Sequence, residues 1–248
     1  MAKQKPKGKS KAKSQTKNYV RNKNQKSSSW IFWFIGIIAL GIIVVLFVGN
    51  PGDKGKDSNQ NVSIDYKGQP YLGDQSADVK VIEFGDYKCP NCKNFNMSFF
   101  PEVDKDLIKK GKIKFYFINY PFINVDSRRS AQFAETVYAE LGNDSFWKFH
   151  ELLYKKQPAD PEDEHRDIFK EDFLVKTLAE ATSEKDAAKV KKAFSSSNHD
   201  EDVKKDEALV SKLNVDSTPT LFVNGKKFTG STYGDFKKQV EEAAKGKK

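Results

Sequence analysis

Hydrophobic positions along this chain change their rhythm several times. From Trp30 to Val48, "WIFWFIGIIALGIIVVLFV", there is no polar face at all and no charge. At roughly 1.5 Å per residue such a run spans about the 30 Å hydrocarbon core of a bilayer. Trp30 and Trp33 suit the interface. A helix apolar all round for five turns rarely belongs to a soluble domain. The next apolar run, "VKVIEF", Val79 to Phe84, is short and rich in β-branched residues, as a central strand should be. A helix is predicted to follow, through about Lys110, then a strand over Ile113 to Asn119. From Val125 to Asn214 the spacing turns helical throughout. Ala131, Ala134, Tyr138 and Leu141 mark one helix, and Phe146, Phe149 and Leu153 another. Phe173, Leu174 and Leu178, then Ala187, Val190 and Phe194, then Val203, Val210 and Leu213, mark three more. Asn224-Gly225 between Thr220–Val223 and Lys227–Thr229 predicts a hairpin with a tight turn, and "YGDFKKQVEEAAK" a closing helix. Strand–helix–strand, helical block, hairpin–helix is the order of an α/β domain with a helical insertion.

Charge adds a direction. Ten basic residues and no acidic one precede Trp30, whereas the whole chain carries 43 Lys+Arg against 34 Asp+Glu, so the excess belongs to the tail. The positive-inside rule keeps that end in the cytoplasm and sends everything beyond Asn50 outside. A cleaved signal is disfavoured by the length of the apolar run and by the absence of an A-x-A-like site in "FVGNPGDK". The expected plan is a basic disordered cytoplasmic tail (1–29), a transmembrane anchor (30–48), a linker (49–61) and one domain (62–248) with its insertion at about 125–214. The tail reads as topogenic rather than as a nucleic-acid binder.

Both cysteines of the chain lie in "FGDYKCPNCKNF". A disulfide between Cys89 and Cys92 closes too small a loop to add more than about 2 kcal/mol. As zinc ligands the pair lacks partners, because His150, His165 and His199 show no paired ligand spacing. Redox chemistry suits the spacing, since a pair already close interconverts between dithiol and disulfide without rebuilding the fold. Cys89 falls between strand and helix, with Pro90 at the first helical position. Free amides and the helix dipole then favour a Cys89 thiolate, while Cys92, one turn in, stays buried as a thiol. Lys88 is read as an exposed lysine of little electrostatic weight. The acidic run Ala159–Asp167 lacks the frame of an EF-hand and reads as a solvated loop rather than a calcium site.

"VIEFGDYKCPNCKNF", with the distant "STPTLFVNG" and the helical block between, resembles the DsbA-like thiol–disulfide oxidoreductases of the thioredoxin superfamily. The anchored arrangement resembles their membrane-tethered, BdbD-like branch. The resemblance implies a thioredoxin-like fold with an inserted all-helical subdomain. It implies that Thr218 and a cis Pro219 face the sulfurs, and that Glu83 is a buried acid able to shuttle the Cys92 proton. The competing reading of Glu83 is a charged strand residue reaching solvent. In "FWKFHELLY" it implies an aromatic-His helix whose His150 packs or hydrogen-bonds. The implied activity is dithiol oxidation in exported proteins with free thiols, without an organic cofactor. Re-oxidation would fall to a quinone-linked membrane partner of DsbB type. Pro90-Asn91 lacks the histidine of the strongest oxidants, so a somewhat milder oxidant is expected. The alternatives are a reductase or isomerase, for example in cytochrome c maturation, and a non-catalytic surface binding module on the same scaffold.

Overall fold

The computed structural model describes residues 64–197 and 199–246. The predicted tail, span and linker therefore lie outside the described residues. Among the described residues no helix is long and apolar enough to cross a membrane.

Five strands form one mixed sheet in the order β1-β3-β2-β4-β5. They are β1 (Tyr71–Leu72), β2 (Val79–Gly85), β3 (Ile113–Asn119), β4 (Thr220–Val223) and β5 (Lys226–Lys227). β2 and β3 run parallel, with Val81 opposite Phe115 and Glu83 opposite Phe117; β4 runs antiparallel on the other side of β2, with Leu221 opposite Glu83. Both central strands are buried almost end to end, which explains their nearly unbroken apolar sequence. The pleat sends Val79, Val81, Phe115 and Phe117 to one face, and Ile82, Phe84, Tyr116 and Ile118 to the other. Glu83 shares the parity of Val81 and so points into the larger core.

A long helical stretch, α1 (90–108), covers that larger face. It starts as an α-helix at Pro90–Asn94, widens to π geometry at Phe95–Phe99, and does so again at Asp104–Ile108. The predicted helical block holds α2 (Val125–Leu141), α3 (Asn143–Lys155), α4 (Glu171–Ala181), α5 (Glu184–Ser196) and α6 (Asp200–Lys212). The predicted apolar stripes pack inward: Phe146, Phe149, Leu153, Leu174, Leu178 and Val190 are fully buried, as is Phe133, which lay outside the predicted stripe of α2. Each such side chain contributes roughly 1.5–3 kcal/mol. α6 is tied to the sheet by Asp206, whose carboxylate accepts from the Asn119 amide at 2.9 Å and from Gln69 Nε2 at 2.7 Å. The final helix, α7 (Tyr233–Lys245), begins at a Thr232–Asp235 capping box and buries Phe236 and Val240.

Two expectations shift. The second hairpin strand is Lys226–Lys227 rather than Lys227–Thr229. Asn224 and Gly225 both take positive φ, so the two-residue turn ends at once and pairing begins at Lys226. The edge strand β1, held by reciprocal bonds between the Tyr71 backbone and the Asn143 side chain, was not foreseen.

Candidate active site

The turn from β2 into α1 is pinned before the first cysteine. Asp86 Oδ1 accepts from the Lys88 amide at 2.8 Å, and Oδ2 from the amides of Phe122 and Ile123 at 3.0 and 3.1 Å. The Gln157 side chain donates to the carbonyls of Tyr87 and Cys89. Cys89 is thereby held as the N-cap of α1 in extended backbone geometry, with Pro90 behind it. Its sulfur accepts from the Cys92 amide at 3.4 Å.

The two sulfurs are free thiols in the structure and differ sharply. The Cys89 thiol is pulled down from an ordinary 9.0 to about 6, chiefly by a hydrogen bond from the Cys92 side chain. The Thr218 side chain and the amides of Cys92 and Asn91 add to this, against a cost of burial. Cys92 is wholly enclosed, and burial first, then its bond to Cys89 and the charges of Glu83 and Cys89, push it well up. One thiol favours the anion; the other keeps its proton.

Glu83 does not reach solvent. It is 0% exposed, and burial, reinforced by the Cys89 charge, lifts its carboxyl well above the ordinary range. The Thr218–Pro219 peptide is cis, and the Thr218 carbonyl accepts from Cys89 Sγ at 3.4 Å. Beside Pro219 opens a cleft of about 300 Å³ lined by Phe95, Phe99, Leu221 and Phe228. Cys89, Cys92, Glu83, Thr218 and Pro219, drawn from three separate parts of the sequence, thus meet in one place.

A family model described as thioredoxin matches residues 65–242. Disulfide bond formation protein D of Bacillus subtilis is 42% identical over 182 residues, which make up 73% of this chain and 79% of that protein. This chain belongs to the DsbA-like branch of the thioredoxin superfamily. The probable disulfide bond formation protein D of Bacillus anthracis is 34% identical over 87% of this chain and 94% of that protein. The crystal structure of oxidised BdbD from Bacillus subtilis superposes with a TM-score of 0.67 at 39% identity, covering 73% of this chain and 95% of that one. Chlamydia trachomatis DsbA does so with a TM-score of 0.59 at 19% identity, over 73% and 93% of the two chains, a likeness of fold alone. The DsbA-like architecture accounts for the helical insertion between β3 and β4, which supplies α3 and Gln157 to the site.

Three features of this DsbA-like site were not legible beforehand. Lys88 is 2% exposed rather than solvated: it pairs with Asp126 at 3.2 Å and donates to the carbonyls of Asp163 and Arg166 at 2.6 and 2.8 Å. The acidic run Ala159–Asp167 is accordingly strapped down through its backbone and contains the short helix Pro161–His165. Asn96, on the inner face of α1, donates to Glu83 Oε1 at 3.4 Å and to the Cys92 carbonyl at 3.1 Å. Spacing one turn beyond Cys92 was the available signal for Asn96; no local pattern marks Gln157 or Asp126.

Proposed function

We propose that this chain is a membrane-anchored, extracytoplasmic protein-disulfide oxidoreductase that introduces disulfides into exported proteins through Cys89 and Cys92. The observation that carries the reading is the asymmetry of the sulfurs: a thiol drawn down to about 6 at a helix mouth beside one held protonated by burial. The names of the Bacillus relatives support the same activity.

The chemistry follows from that asymmetry. A substrate thiolate attacks Cys89 Sγ of the oxidised pair. The Cys89–Cys92 bond breaks, its electron pair passes to Cys92, and Cys92 takes a proton from the Glu83 carboxylic acid. A second substrate thiolate then attacks the substrate sulfur of the mixed disulfide and expels Cys89 as a stable thiolate, leaving an oxidised substrate and a reduced enzyme. A low leaving-group pKa speeds this step. Pro219 cannot donate to a ladder, and the apolar cleft beside it suits an extended substrate segment. Re-oxidation runs in reverse, with Glu83 accepting the Cys92 proton as Cys92 resolves a mixed disulfide with a quinone-linked membrane oxidase of DsbB type. The apolar run Trp30–Val48, flanked by the basic tail, supplies the anchor and places the site in an oxidising compartment.

The test is capture. Cys92→Ala in cells should accumulate Cys89-linked mixed disulfides with exported proteins, and impermeant alkylating reagents should label Cys89 in intact cells. An absence of mixed disulfides would return the chain to a binding module. Redox titration against glutathione fixes the direction, and a potential below about −250 mV would assign a reductase instead.

A further inference from the structure

The Glu83 carboxyl is the inner end of a hydrogen-bond chain whose polarity a single backbone atom determines. The Cys92 carbonyl can only accept, so the Asn96 atom 3.1 Å away must be Nδ2. Asn96 Oδ1 then faces His150 Nε2 at 3.2 Å and requires a proton there. His150 is enclosed and neutral, its pKa driven down to about 3 by burial, so Nδ1 is bare and accepts from the Tyr87 hydroxyl at 3.1 Å. The direction runs Tyr87 to His150 to Asn96, and from Asn96 to Glu83 Oε1 and the Cys92 carbonyl. Asn96 stands where α1 widens into π geometry, a distortion that is frequent at functional sites. Glu83 Oε2 has no hydrogen-bond partner among the described residues.

We propose that His150 and Asn96 are positioning residues for the proton transfer of the redox cycle. His150 Nε2–H holds the Asn96 carboxamide so that it donates to Glu83 Oε1, which leaves Oε2 as the oxygen that carries and releases the proton. This rests on the reading of Glu83 as the acid–base partner of Cys92. The titratable groups that act on Glu83 are Cys89 at the N-cap of α1, Cys92 within it, Tyr87 in the turn and Tyr154 of α3, with His150 of α3 one hydrogen bond further out through Asn96. None is a cation at neutral pH. The Asn96 amide is therefore the group that favours the Glu83 carboxylate against burial and the Cys89 charge.

The experiment follows disulfide formation when the reduced full-length protein in detergent is mixed with oxidised glutathione across a range of pH. The profile should show one limb from Cys89 and a second from Glu83. Asn96→Leu should move the second limb to higher pH by about one unit, the worth of a lost charge-assisted hydrogen bond, and leave the first in place. His150→Phe fills the same space among Phe117, Trp147 and Tyr154 and should move that limb the same way by less. Glu83→Gln should abolish the second limb, and adding Asn96→Leu to it should change nothing further. If Glu83→Gln removes the limb but Asn96→Leu leaves it unmoved, the positioning role fails and the acid–base role of Glu83 stands. If Glu83→Gln leaves the limb intact, the acid–base reading itself fails. Should His150→Phe not fold, Asn96→Leu decides alone.

Discussion

Two sulfurs three residues apart on one helix sit in opposite surroundings. Around Cys89, at the mouth of α1, are donors, the Cys92 side chain and the first amides of the helix, with the Thr218 side chain nearby, its hydroxyl making no hydrogen bond among the described residues. Cys92, one turn inward, is wholly buried in the main core, with Glu83 close enough to oppose an anion. Capping groups act on the first sulfur and burial acts on the second, so a single helical turn separates a sulfur that favours the anion from one that keeps its proton. The lesson is that chemistry of this kind needs little charge. No lysine or arginine is among the groups that shift Cys89.

The largest way to test the contrast is pH. A depressed thiol contributes stability that is fully present above its unfolded value, near 9.0, and is lost as pH falls through about 6. The reduced protein should therefore gain on the oxidised one between pH 6 and 9, by about 4 kcal/mol at most. Glu83 opposes part of this. Its pKa is raised, in part by the Cys89 charge, so its contribution is present below the ordinary carboxyl value and lost as pH rises through the folded one. Denaturant melts of both redox states across that window measure the difference. A flat difference would mean that the mouth of α1 does not hold a thiolate.

The second test removes the charge that does lie next to Cys89 in sequence. Lys88→Met leaves Asp126 buried without its cation and frees the carbonyls of Asp163 and Arg166. It should cost about 3 kcal/mol of stability while Cys89 still ionises near 6. Ultraviolet thiolate absorbance and denaturant melts, run on the same preparation, separate the two effects. A thiolate titration that moved with the lysine would make Lys88 part of the redox machinery and break the distinction between capping and charge.

Lys88 also marks where reading the sequence stops. Its neighbours along the chain say nothing of Asp126 or of the loop it clamps, and a lysine beside a cysteine reads naturally as exposed. The pair Cys89–Cys92, its place between strand and helix, and the proline at the first helical position were legible because each is a local rule. β2 and β3 were legible because strands covered on both faces leave unbroken apolar runs. Pro219 and Thr218 required a resemblance, since nothing near residue 218 points to residue 89. Glu83 was ambiguous for a related reason: parity along β2 assigns its face, but only the helices stacked above show that the face is closed. The resemblance marked His150 alone of the chain Tyr87–His150–Asn96, because Asn96 and Tyr87 join it only through contacts across the fold and its direction depends on the Cys92 carbonyl.

The smallest expected effect bears on the same boundary. Thr218→Val keeps the branched shape, the carbonyl that faces Cys89 Sγ and the approach to Pro219, and removes the hydroxyl alone. The Thr218 side chain is secondary to the Cys92 hydrogen bond in holding Cys89 down, and the helix amides remain. The Cys89 thiol should rise by about half a unit, and weaker stabilisation of the reduced form should make the protein less oxidising by about 15 mV. Thiolate absorbance and glutathione titration read the two quantities independently. A rise of more than one unit would move control of the sulfur from the helix mouth to the loop that carries Pro219. An unchanged thiol would show that the hydroxyl does not act on it, and would leave the Cys92 side chain and the helix amides as the groups that favour the anion.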